Sequence, residues 1–172
     1  MQDADYRKGV LKALNKEEIL TAAYGSLDYA TPSYSFLPKT NAHYTEELEK
    51  FDQDLEASKE LVAGGATKLS LCHVAEPAQT AQAQVIQAQL KEVGIEVELF
   101  GLEQGAYMET AYDNEDKTYD MYLGGYIMTI DPAGYVGMFG TGNMINYAND
   151  EIDALFAKSK VETDAAKRAE NL

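Results

Sequence analysis

The 172-residue chain has no tryptophan, one cysteine and four prolines, and only 14 lysines and arginines stand against 29 aspartates and glutamates. The single thiol, Cys72, excludes an intrachain disulfide and leaves the redox compartment unread. A formal net charge of −15 repels the phosphates of nucleic acid and of anionic lipid headgroups, which argues against polyanionic partners. No stretch approaches the roughly 20 consecutive apolar residues of a membrane helix. Met1-Gln2-Asp3-Ala4-Asp5 has neither the basic nor the apolar region of a secretion signal, so either the protein is cytosolic or such a signal precedes residue 1. What is present suffices for one ordinary domain, since 45% apolar residues can bury a core in a chain of this length.

Asp5 to Gly25 reads as a helical hairpin, with a break at Asn15 and a stop at Gly25. Ser26 to Ala42 holds two prolines and no periodicity, a long loop of the kind that often carries function. From Tyr44 to Gly65, Leu48, Phe51, Leu55 and Val62 form one helical stripe that Gly64-Gly65 ends. A strand alternates from Thr67. A helix then starts at Pro77, with Ala78, Ala81, Val85, Ile86, Leu90 and Val93 on one face, and a second strand follows from Ile95. Another helix over Glu103 to Asn114 leads to a strand near Tyr119. The order βαβαβ implies an α/β layer of at least three parallel strands, in which ligands sit outside the carboxyl ends. Asp120 to Asn143, "DMYLGGYIMTIDPAGYVGMFGTGN", occupies that end of the last strand. Beyond it come a helix near Asp150 to Lys160, with Ile152, Leu155 and Phe156 inward, and another from Thr163 in which the sequence stops at Leu172.

Chemistry of bond breaking finds little footing. His43 and His73 are isolated, and Cys72 and His73 point to opposite faces of one strand, so they cannot form a nucleophile and its base. Asp113 to Asp120 spaces oxygens closely but lacks the central glycine and terminal acid of a calcium loop, and reads as a solvated turn. Gly137, Gly140 and Gly142 have no helix start in register to cradle a phosphate, and read as a flexible loop.

Four runs, "RKGVLKALNKEEIL", "AQVIQAQLKEVGIEVEL" with "EQGAYMETAYDN", "YDMYLGGYIMTIDP" and "NYANDEIDALFAKSKVETDAAKRAE", resemble in order and spacing the large extracellular solute-binding proteins that feed peptide ABC transporters, solute-binding protein family 5. The resemblance implies one lobe of a type II periplasmic-binding-protein-like, two-lobed fold, with a mixed or parallel sheet and flanking helices. Residues 1–172 are then most of the second lobe, without the first lobe or the C-terminal return segment. It further implies a non-catalytic component of a peptide or oligopeptide importer, without cofactor or metal. The complete protein would pair with ABC permease subunits and lie outside the cytoplasmic membrane or in the periplasm, held by a lipid anchor outside this fragment. Relatives also bind nickel complexes and oligosaccharides, and a peptide-sensing module or an unrecognised hydrolase are the readings from other classes.

The ligand-binding residues implied are Gly125, Tyr126, Ile127, Met128, Thr129 and Asp131. The Gly124-Gly125 pair lets backbone approach a ligand closely, tyrosines give wide contact with a polar tip, and methionines adapt to varied side chains. Twelve tyrosines against five phenylalanines lean the same way. Two departures stand out. Thr129 takes the place of the aspartate that in peptide binders pairs with the ligand's amino terminus, and Gln104 replaces a customary tryptophan. Asp131 matches a later acid of the motif, able either to take over that charge or to start the turn at Pro132. Tyr126, Ile127 and Met128 have the alternative of ending a buried strand.

Overall fold

Short polar side chains open the helices by taking up orphan amides. Asp3 accepts from the amides of Asp5 and Tyr6 at the head of α1 (Ala4–Lys12), and Asn15 accepts from Glu18 at α2 (Lys16–Tyr24). Asp54 does the same through Ala57 for α3 (Leu55–Val62). Gly25, at φ 75°, closes α2 in the left-handed conformation that glycine adopts freely. This computed structural model describes residues 3–112, 118–125, 127, 131–143, 145 and 147–170. They fall into two compact units. One is Met1–Tyr34, Glu49–Met108 and Thr118–Gly124, and the other is Ser35–Leu48, Glu109–Lys117 and Gly125–Leu172.

In the first unit the long helix expected from Tyr44 shrinks to α3. Residues 49–54 have no regular structure, because their polar groups bind the α1–α2 corner instead of one another. Asp54 N donates to Lys12 O at 2.8 Å, Gln53 Nε2 to Ala13 O at 3.1 Å, and Lys16 Nζ to Phe51 O. The stripe from Leu48 to Val62 is thus divided, and α3 buries Ser58 and Val62. It packs closely on α1, where the Ser58 hydroxyl donates to Gly9 O at 2.7 Å.

The βαβαβ reading holds. β1 (Lys68–Val74), α4 (Pro77–Glu92), β2 (Glu96–Leu102), α5 (Gln104–Ala111) and β3 (Met121–Leu123) follow in that order. The sheet order is β2-β1-β3 with both pairings parallel, from Lys68↔Glu96 to Val74↔Leu102 on one side and Leu71↔Met121 to His73↔Leu123 on the other. Alternation along β1 ends at Ser70, and Leu71 to Val74 are all buried. A central parallel strand is covered on both faces, so its alternation gives way to a continuous buried run, with His73 as its polar member. One cover is α4, whose Ile86 and Leu90 join Leu69, Leu71 and Val97 in the core. On the opposite face Phe100, Tyr119, Tyr122 and Tyr107 meet in sequence, tilted or edge-on, with ring centroids 4.8 to 6.3 Å apart.

The predicted face of α4 is right at Ile86 and Leu90, but Val85 is half-buried and Gln89 is buried. Gln89 Oε1 accepts from Asn15 N at 3.0 Å and its Nε2 donates to Glu18 Oε2 at 2.8 Å, which fastens α2 to α4. A buried amide is stable only when so satisfied.

Replacing Ile86 by Asp places an unpaired charge in this core and is expected to abolish the cooperative thermal transition seen by circular dichroism. Gly9→Ala tests the α1–α3 contact against helix propensity. A Cβ there would stand 2.8 Å from Leu61 Cβ and Val62 Cγ1, so denaturant titration should give a loss of about 1–3 kcal/mol. Propensity alone would have given a gain of about 1 kcal/mol.

Candidate functional site

The two adjacent glycines after β3 have different jobs. A Cβ on Gly124 would lie 2.3 Å from the Tyr107 hydroxyl, so Gly124 admits that buried ring, while among the described residues no heavy atom lies within 4 Å of such a Cβ on Gly125. Gly125 is open backbone. Ile127 is 99% exposed, which removes the buried-strand reading for that residue. Tyr126, Met128 and Thr129 lie outside the described residues, as do residues 113–117 of the acidic turn.

Asp131 starts the turn at Pro132 and is also charged to a purpose. Its Oδ1 accepts from Ala133 N at 2.9 Å, capping a 3-10 turn over Pro132–Tyr135. Arg168 Nη2 straddles both carboxylate oxygens at 2.8 and 2.9 Å. The Ala133 amide first, then the Arg168 hydrogen bond, hold the carboxyl below its usual range.

Behind this turn the second unit builds an apolar groove of about 580 Å³. One side is the stretch from Ser35 to Leu48; the other is the 3-10 turn, α6 (Val136–Phe139) and α7 (Asp150–Val161). Phe36 and Phe139 meet with centroids 4.4 Å apart, Tyr135 stacks on Phe139 at 13°, and Tyr147 meets Phe139 edge-on. The Tyr135 hydroxyl donates to Phe36 O at 2.5 Å, and burial pushes its pKa up.

"GMFGTGN" is no slack loop. Asn143, 6% exposed, donates through Nδ2 to Gly140 O and Tyr147 O and accepts through Oδ1 from the amides of Ile145 and Tyr147. Asp153 Oδ1 takes the Thr141 amide at 2.8 Å. These bonds set Tyr147 and Phe139 in the groove wall. Sequence reading missed Phe36, Phe139 and Asn143; the one available signal was a side-chain amide following three closely spaced glycines. Among the described residues no group of three His, Cys, Asp or Glu is placed to hold a metal ion, and no helix is long and apolar enough to cross a membrane.

Residues 1–147 match the bacterial extracellular solute-binding proteins, family 5 Middle. The chain belongs to that family. Over 99% of its length the family 5 chain superposes on the ABC transporter substrate binding protein CtaP of Listeria monocytogenes, with 33% identity and a TM-score of 0.92. A second solved structure, AppA from Clostridium difficile, gives 34% identity over 98% and a TM-score of 0.89. The dipeptide-binding protein of Escherichia coli is 27% identical over 127 residues, 69% of this chain. The family 5 chain spans 36% of each of those two structures and 23% of the E. coli protein. The α/β architecture expected from the βαβαβ order is therefore that of type II binding proteins.

Within this family 5 chain the folded Asp131 carboxyl titrates below its unfolded value, so its contribution is present above the ordinary range of about pH 4 and is lost as pH falls through the lower folded value. Asp131→Asn should cost about 0.5–1 kcal/mol near neutrality, the scale of a half-exposed ion pair. The gap from wild type should close in acid, as checked by urea titrations at several pH values. A pH-independent gap would mean that the loss is one of shape, not charge.

Proposed function

We propose that this chain supplies one wall of the solute cleft in the binding component of an ABC importer for peptides, with Gly125, Tyr126, Ile127, Met128, Thr129 and Asp131 as its ligand-contacting segment. The observation that carries the reading is the family 5 membership of residues 1–147, joined by a relative named for binding dipeptides. The open backbone at Gly125 and the exposed Ile127 support the placement, since amides and carbonyls read any peptide and an apolar side chain gains by being covered. The complete protein closes two lobes on its ligand, delivers it to permease subunits and works outside the cytoplasmic membrane, lipid-anchored or periplasmic. It is a carrier and not a catalyst.

Because Thr129 is no acid and Asp131 is engaged by Arg168, the ligand's amino terminus has no dedicated anion here. Calorimetry on the complete two-lobed protein, with one peptide in free and N-acetylated form, should give affinities within about 10-fold (1.4 kcal/mol) of each other. A loss of about 100-fold on acetylation that Asp131→Asn fails to deepen would return the clamp to Asp131. Heat only from a nickel complex or an oligosaccharide would overturn the peptide reading. Gly125→Ala should leave the melting temperature unchanged, because nothing is near its Cβ, yet weaken peptide binding; unchanged affinity would move the contact elsewhere.

A further inference from the structure

The solute-contacting segment starts and stops on different supports. It is preceded by Leu123, paired with His73 in the sheet, and by Gly124, which lies against the Tyr107 hydroxyl. Its last residue, Asp131, belongs to no strand or helix. The Asp131 carboxylate caps the following 3-10 turn through Ala133 N, its carbonyl accepts from Gly134 N at 3.0 Å, and Arg168 reaches it from 37 residues further on.

Arg168 is itself fixed before it meets Asp131. It lies on α8 (Ala165–Ala169), which opens on Asp164, whose Oδ1 accepts from the amides of Ala166 and Lys167. From there Arg168 Nε donates to Ser159 O at 2.9 Å, one of the carbonyls that the last turn of α7 leaves without an intrahelical donor. A cation at that place also meets the negative end of the α7 dipole. Ser159 is fully buried, so the guanidinium is pinned to the body of the second unit. Nη2, on the same rigid fork, then takes both oxygens of Asp131 at 2.8 and 2.9 Å. The arginine side chain is 29% exposed against 55% for the aspartate, which makes Arg168 the anchor and Asp131 the group that is held. Two nitrogens in fixed geometry serve two elements at once, which a lysine's ammonium, a point charge without a fork, does not reproduce.

We propose that Arg168 is a positioning residue for solute binding: by holding Asp131 it fixes where the segment from Gly125 to Asp131 ends, so that less ordering remains to be done when the solute arrives. A segment held at both ends has fewer conformations to lose, and that loss is one of the main costs of association. The inference rests on the reading of Gly125 to Asp131 as the solute wall, and it adds to that wall a residue on a helix outside it.

The test compares Arg168→Gln, Asp131→Asn and the double variant in the complete protein, each at a temperature where its melting curve shows it folded. Calorimetry with one peptide should find each single change about 10-fold weaker in binding. The double variant should be within about twofold of either, since one contact cannot be lost twice. Without any peptide, amide hydrogen exchange should rise in residues 125–131 of all three variants and keep its wild-type rate in β1 and β2, which a general loss of stability would not spare. Arg168→Lys, with the charge but not the fork, replaces Arg168→Gln if the latter does not fold, with the same losses expected. Wild-type affinity in the Arg168 variant overturns the proposal. So do losses that multiply to about 100-fold in the double variant, unchanged exchange in residues 125–131, or exchange that rises equally in β1 and β2. A complete wild-type protein that takes up no peptide fails the peptide reading, whereas the exchange measured without solute still decides for or against Arg168.

Discussion

The two-sided parallel pairing of β1 is the constraint on which the first unit rests. A strand hydrogen-bonded to β2 along its whole length and to β3 over Leu71 to His73 has a neighbour on each side, and both of its faces must be covered. α4 supplies one cover and a layer of four aromatic rings the other. α2 is tied to that cover through Gln89, and α1 is held on α3 by Ser58. Once β1 is fixed, the end of β3 is fixed with it, and the open backbone at Gly125 begins two residues later.

The abundance of tyrosine looked like the mark of a contact surface, and much of it turns out to be structural. Tyr6 donates to Ala66 O at 2.6 Å, Tyr107 fills the space that Gly124 vacates, Tyr119 and Tyr122 meet edge-on over the sheet, and Tyr135 donates to Phe36 O. A buried phenol is tolerated where its hydroxyl has a carbonyl to meet, and it then packs as well as phenylalanine while fixing orientation. Composition registers the residue type but not the partner. The surplus of hydroxyls therefore bears on ordering irregular backbone as much as on recognition.

The stretches of irregular backbone between the helices of the second unit are ordered by short polar side chains. Asn143, Asp153 and Asp131 each satisfy amides that no helix or strand claims, and the aromatic cluster of Phe36, Tyr135, Phe139 and Tyr147 forms around them.

The sequence by itself determined the elements whose signals are local. Period, caps and glycine stops located α1, α2, α4, α7 and the three strands, and four spaced runs led to family 5. Alternation failed along the second half of β1 because burial on both faces is a property of the sheet and not of the strand. The helix expected from Tyr44 failed because side chains and amides of residues 51–54 found partners in the α1–α2 corner, about 40 residues away in sequence. Of the candidate loop, the sequence could name Gly125, Ile127 and Asp131 but not their states. Only the tertiary structure decided that Gly124 makes room for a ring, that Gly125 is open, and that Asp131 already holds an arginine 37 residues distant. A side chain's partner across such a separation is chosen by packing, and no local pattern in the chain encodes it.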